Sequence, residues 1–151
     1  MRLRIFGCGT EHRGDDAAGL VVARRLRAMG VEAHEHTGDG VSLLERWRGA
    51  DAVVLIDAIV GYGAPGSFAI WQDREAALAH DVFRSSTHGI GIAEAVSLAR
   101  ALDRMPSRLW ICAVEGGQFE VGAGLSAEVA EAADRLALCL VDKAALLKGL
   151  G

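Results

Sequence analysis

The stretch DAVVLIDAIV, residues 51–60, limits the fold more than any other part of the chain. It is almost continuously apolar and rich in β-branched residues, the pattern of a strand covered on both faces. Such strands belong to mostly parallel sheets wrapped by helices, and the rest of the chain supplies the pieces. Residues 3–8 (LRIFGC) read as a strand ending at a glycine turn. Residues 15–29 carry apolar side chains at helical spacing until Gly30 stops them. Residues 31–37 alternate as a strand with one wetter face, and 40–49 form a short amphipathic helix closed by Gly49. After residues 51–60 comes the glycine and proline turn GYGAPG (61–66), then SFAIWQ (67–72), whose alternation suits an antiparallel return at a sheet edge. Residues 73–83 read as a short helix, 90–103 as a longer one, and 107–114 (SRLWICAV) as a second buried strand. Residues 125–149 form a long amphipathic helix, with Ser126 as its N-cap and Glu128 in its first turn. The expected fold is a three-layer α/β domain spanning 1–151. Its twisted, mostly parallel sheet has about five strands, one antiparallel at an edge, with helices on both faces.

Composition removes several function classes. A net charge of −4 without a basic stripe argues against nucleic acid as a partner. No apolar run approaches the roughly 20 residues that span a bilayer, so no membrane is expected. The first residues enter a glycine turn without an apolar leader, which makes the cytoplasm the expected location. Cys8, Cys112 and Cys139 are odd in number and far apart, which fits neither a disulfide framework nor a cysteine-based zinc site. Cys112 and Cys139 are expected in the core. Cys8, between Gly7 and Gly9, is open to either a structural or a functional role.

In sheets of this kind ligands bind beyond the carboxyl ends of the strands. Three polar groups fall there. Asp16 follows the first strand at the start of its helix, Asp57 lies inside the apolar run near its exit, and His88 precedes a helix in SSTHGIG. A carboxylate at Asp57 is strongly disfavoured by desolvation unless it is paired or binds a cation. Two carboxylates and one imidazole from three loops make a ligand set that leaves coordination positions open. Asp15 reads instead as a helix cap or an acceptor supporting Asp16. His34 and His36 are expected on a solvated strand face, and Glu11 and His12 on the surface. The first glycine turn lacks the G-x-G-x-x-G spacing, and its acids would repel a phosphate. No G-K-[ST], G-x-S-x-G or H-E-x-x-H motif is present, so dinucleotide binding, phosphoryl transfer and serine hydrolysis lose weight.

The segments IFGCGTEHRGDDAAG, VVLIDAIVGYGAPGSF, STHGIGIAEAVSLAR and GAGLSAEVAEA occur in an order and spacing that resembles the hydrogenase maturation proteases over nearly the whole chain. The resemblance implies a twisted, mainly parallel sheet with helices on both faces. It also implies an endopeptidase that removes a C-terminal extension from the large-subunit precursor of a nickel–iron hydrogenase once nickel is inserted. Carried over residue by residue, the metal-contacting and catalytic set falls on Asp16, Asp57 and His88. The nickel would arrive with the substrate as the recognition signal and not be held permanently, and a monomer is expected. The chain departs from the family pattern at Thr10, where Asn is usual, at His12, where Leu is usual, and at Ala17, where Gly is common. The usual Asp-Gly-Gly-Thr turn reads approximately Glu35-His36-Thr37-Gly38. A nickel-subunit binding or assembly factor that does not cut, and a hydrolase of the same architecture acting on another substrate, remain open as alternatives.

Overall fold

A computed structural model describes residues 1–76, 79, 83 and 90–149. Five strands form one sheet in the order β2-β1-β3-β5-β4. These are β1 (Leu3–Cys8), β2 (His34–His36), β3 (Ala52–Ile59), β4 (Phe68–Gln72) and β5 (Arg108–Glu115). β1, β2, β3 and β5 run parallel to one another, and β4 pairs antiparallel with β5 at one edge. The helices are α1 (Ala18–Ala28), α2 (Gly40–Arg46), α3 (Ile90–Ala101) and α4 (Ala127–Gly149). The expected helix over 73–83 lies largely outside the described residues; 74–76 are helical.

Period-two alternation divides the core. Ile5, Val54, Ile56, Trp110, Cys112 and Val114 face α1 and α4, where Leu26, Val129, Leu136 and Leu140 complete one apolar layer. Phe6, Cys8, Val53, Leu55, Ile59, Ile111 and Ala113 face α2 and α3, meeting Leu43, Leu44, Ile92 and Val96. β3 is buried along its whole length, as a strand covered on both faces requires.

Three local expectations change. The first helix begins as a 3-10 turn, Gly14–Ala17, before α1. β2 is only three residues long. Cys139 is exposed rather than in the core, because Leu136, Ala137 and Leu140 occupy the inward face of α4 and Leu138 and Cys139 point away.

α1 lies unusually close to the sheet. A Cβ on Gly7 would sit 2.0 Å from the Gly19 carbonyl oxygen, and one on Gly19 would sit 2.2 Å from that of Cys8 and 2.5 Å from that of Ile56. Only glycine at both positions permits this backbone contact. The contact brings the turn that carries Asp15 and Asp16 down onto the ends of β1 and β3.

Candidate active site

The strand order reverses direction on either side of β1, and the resulting crevice holds a cavity of about 440 Å³. Its lining includes Cys8 and Gly9 at the end of β1, Asp16, His36 at the end of β2, Asp57 of β3, and Gly91 and Ile92 of α3. Two of the three expected site residues therefore line one cavity. The third, His88, lies outside the described residues. Among the described residues, no three His, Cys, Asp or Glu side chains converge as a ready-made metal site.

Asp57 reaches the cavity by alternation, since it shares the α2/α3 face with Leu55 and Ile59. It is 4% exposed, and among the described residues one hydrogen bond reaches its carboxylate, from the Ala58 N–H to Oδ1 at 2.7 Å. Burial pushes its pKa well above the usual carboxylate range; the Ala58 bond opposes that shift, and the neighbouring Asp16 charge adds to it. Asp16 is 6% exposed, and its backbone is fixed by Asp16 N–H to Arg13 O and by Thr10 N–H to Asp16 O, both at 3.2 Å. Gly9 makes this fit possible, because a Cβ there would stand 2.2 Å from the Asp16 carbonyl oxygen.

Asp15 is fully buried and does something different from its neighbour. Its Oδ2 accepts from the Gly117 and Gln118 N–H groups at 2.9 Å each, and its Oδ1 from the Ser126 N–H at 2.8 Å. The Ser126 hydroxyl adds bonds to both oxygens at 3.0 Å. Asp15 is thus an acceptor that supports the site, as its sequence position suggested. The amides it satisfies belong to the loop before α4 and to the start of that helix, not to its own first turn. Ser126 sits at the N-cap position expected for it, with its hydroxyl directed to Asp15.

His36 corrects the sequence reading. It is 6% exposed, not solvated, because its pairing with Cys8 places it on the Asp57 face beneath α2. Its Nδ1 accepts from Arg46 at 3.1 Å and its Nε2 donates to the Asp39 carbonyl at 3.0 Å, so both ring nitrogens are engaged and the proton sits on Nε2. The ring therefore shapes the cavity wall. A two-residue alternation read on a three-residue strand gave no sign that α2 folds back over it. His34 is half-buried against the Phe6 ring, with centroids 5.7 Å apart. Glu11 and His12 are exposed as expected, Glu11 pairing with Arg24.

Cys8 resolves as a buried thiol. Desolvation first, and the Asp57 carboxylate second, push its pKa well above that of an ordinary cysteine. It remains a protonated cavity wall rather than a thiolate nucleophile. Glu115, 4% exposed at the end of β5, is a buried carboxylate that the sequence reading passed over. The signal was present, for it closes the apolar strand RLWICAVE at 108–115 much as Asp57 interrupts the central one.

Chemically, the cavity offers two adjacent buried carboxylates that disfavour simultaneous charge and would be relieved by a cation. A sequence profile described as hydrogenase maturation protease matches residues 37–143. The chain is 28% identical over 135 residues to the hydrogenase 2 maturation protease of Escherichia coli (strain K12), covering 85% of this chain and 82% of that protein. It is 27% identical over 130 residues to a Pyrococcus furiosus protein named FrxA, covering 81% and 90%. Among solved structures, the hydrogenase maturating endopeptidase HybD from E. coli superposes with a TM-score of 0.78 at 26% identity, over 95% of this chain and 94% of that one. The [NiFe] hydrogenase maturation protease HybD from Thermococcus kodakarensis does so with a TM-score of 0.77 at 27% identity, over 95% and 98%.

Proposed function

This chain belongs to the hydrogenase maturation protease family, and from that premise we propose that it removes the C-terminal extension of a nickel–iron hydrogenase large-subunit precursor after nickel insertion. The substrate brings the nickel, and Asp16, Asp57 and His88 read it. Asp57 carries this proposal: a buried carboxylate at a cavity, beside a second acid, with a single amide for company among the described residues. A divalent cation arriving there offsets the charge that burial disfavours, so the cleft gains affinity when the precursor is loaded. Asp16 precedes the stretch matched by the family profile, and support for its role comes from structural similarity extending over 95% of the chain. His88 lies three residues before Gly91, which lines the cavity, and its imidazole would complete a set of hard and borderline donors.

The substrate's nickel would polarise the scissile carbonyl and acidify a water, while one of the two carboxylates accepts a proton. The thiol of Cys8 takes no part, since burial keeps it protonated. Mixing the protein with nickel-loaded and nickel-free precursor tests the reading by mass spectrometry. Loss of the extension from the loaded form alone is expected. Equal trimming of both forms, or of neither by folded protein, overturns it.

A further inference from the structure

The candidate active site holds a cation as well as its two acids. Arg13 lines the same cavity as Asp16 and Asp57. The acids are buried and Arg13 is exposed, so the acids form the floor of the cavity and the arginine stands at its mouth. Three backbone bonds fix its base. The Gly122 N–H donates to the His12 carbonyl at 2.6 Å, the Gly14 N–H to the Ala123 carbonyl at 3.0 Å, and the Asp16 N–H to the carbonyl of Arg13 itself at 3.2 Å. Gly14 lies at φ 58°, and a Cβ there would meet the Gln118 carbonyl oxygen at 2.3 Å, so the loop after β5 presses directly on this turn.

The guanidinium, in contrast, has no carboxylate partner among the described residues. The arginine and carboxylate pairs there use Arg24, Arg25, Arg27, Arg48, Arg104 and Arg108. Nearby acids have other duties. Glu11, two positions away, pairs with Arg24, and Glu35 pairs with Arg24 and Arg27. Asp15 is filled by amides and the Ser126 hydroxyl, and Glu115 accepts from the Gly61 and Tyr62 N–H groups at 2.6 and 3.0 Å. A cation held on a rigid turn at a cleft mouth, with no partner of its own, favours an anionic group that a ligand brings. The planar guanidinium matches a carboxylate through two parallel hydrogen bonds.

We infer that Arg13 is a specificity residue that binds a carboxylate of the precursor while the acids below it meet the metal. The inference rests on the peptidase reading above. Residues 13 and 16 are separated by one 3-10 turn, about 6 Å at about 2 Å per residue. The anion and the cation of the substrate therefore enter the cleft side by side. A precursor carrying both matches the floor and the mouth, whereas a nickel ion alone matches only the floor. The carboxylate belongs to an Asp or Glu side chain or to the precursor's own C-terminus, and the chemistry is the same for each.

Arg13→Gln removes the charge from an exposed side chain and leaves the backbone bonds in place, so its melting temperature should equal that of wild type. With nickel-loaded precursor at low salt, KM rises about tenfold while kcat stays within about twofold. In 1 M salt, where the Debye length is about 3 Å, the rise shrinks to about twofold. Arg13→Lys keeps the charge without the fork and raises KM by about threefold. The source of the carboxylate follows from precursors in which each Asp or Glu near the cut is replaced singly by its amide, and from one with an amidated C-terminus. In one of these, wild type and Arg13→Gln have equal KM. An unchanged KM, a rise undiminished by salt, or a rise that survives in every altered precursor overturns the assignment. Fluorescence anisotropy of labelled, nickel-loaded precursor gives a readout that needs no cleavage. Wild type that binds it about tenfold more tightly than Arg13→Gln but leaves it intact overturns the peptidase reading and leaves the carboxylate site standing. Wild type that trims it but binds it no more tightly than Arg13→Gln does the reverse.

Discussion

Asp15 and Asp57 are both buried carboxylates near the same crevice, and their surroundings are opposite. Asp15 receives three backbone N–H groups and a hydroxyl. Asp57 receives one backbone N–H among the described residues and faces a second acid. A carboxylate whose lone pairs are filled by amides is part of the scaffold, whereas one left open at a cavity is held ready for something that arrives. Burial alone does not distinguish the two; the donor inventory does.

Placing the same substitution at both positions breaks the comparison most directly. Asp57→Asn should reduce processing of loaded precursor by at least about a thousandfold, because an amide cannot accept a proton or match a carboxylate as a cation ligand. The same variant should melt higher than wild type at neutral pH, since a neutral amide removes a disfavoured buried charge. Retained processing, or a lower melting temperature, would remove Asp57 from its assigned role. Asp15→Asn should do the reverse to the fold, because its new NH2 faces donors. A loss of about 2–3 kcal/mol, or roughly 5–10 °C in Tm, is expected in a thermal melt.

The pH dependence sharpens the contrast. Folded Asp57 has a raised pKa, so between the ordinary carboxylate value and that raised value the folded protein holds a proton that the unfolded chain releases. The resulting stability is fully present at the acidic end of that window and declines as pH rises through it. For one group the slope cannot exceed about 1.4 kcal/mol per pH unit. Denaturation midpoints measured across the window should show the decline in wild type and its absence in Asp57→Asn. The smallest effect belongs to Ser126→Ala, which deletes the hydroxyl on Asp15 and keeps the backbone bond. About 1 kcal/mol should be lost, seen as a shift of roughly 2–4 °C, with processing within twofold of wild type.

The sheet was legible because its central strands are long, apolar and punctuated by glycine, so β1, β3, β5 and the antiparallel β4 all follow from local pattern. Asp57 was legible for a related reason, since a charge stands out inside an apolar run. Asp15 and Asp16 could be separated in sequence only as a cap and a candidate ligand. What divides them physically is a loop about one hundred residues away. His36 was misread because burial on a short edge strand is decided by α2, and period-two alternation carries no information about what packs above it. Cys139 was misread because a largely apolar helix offers several faces that could turn inward. Glu115 needed the turn at Gly61 and Tyr62 to reveal why a carboxylate ends a buried strand.

The brace between Asp15 and Ser126 also has a consequence for synthesis. It joins positions 111 residues apart. At about 5–20 residues per second, roughly 6–22 s separate the moments at which the ribosome adds them. Throughout that interval Asp16 has been made, and for most of it Asp57 as well, while until Gly117 and Gln118 are added the turn that carries Asp15 lacks the amides that hold it. A nascent chain thus owns its acids before it owns their support, and competence arrives only as the last helix begins to emerge.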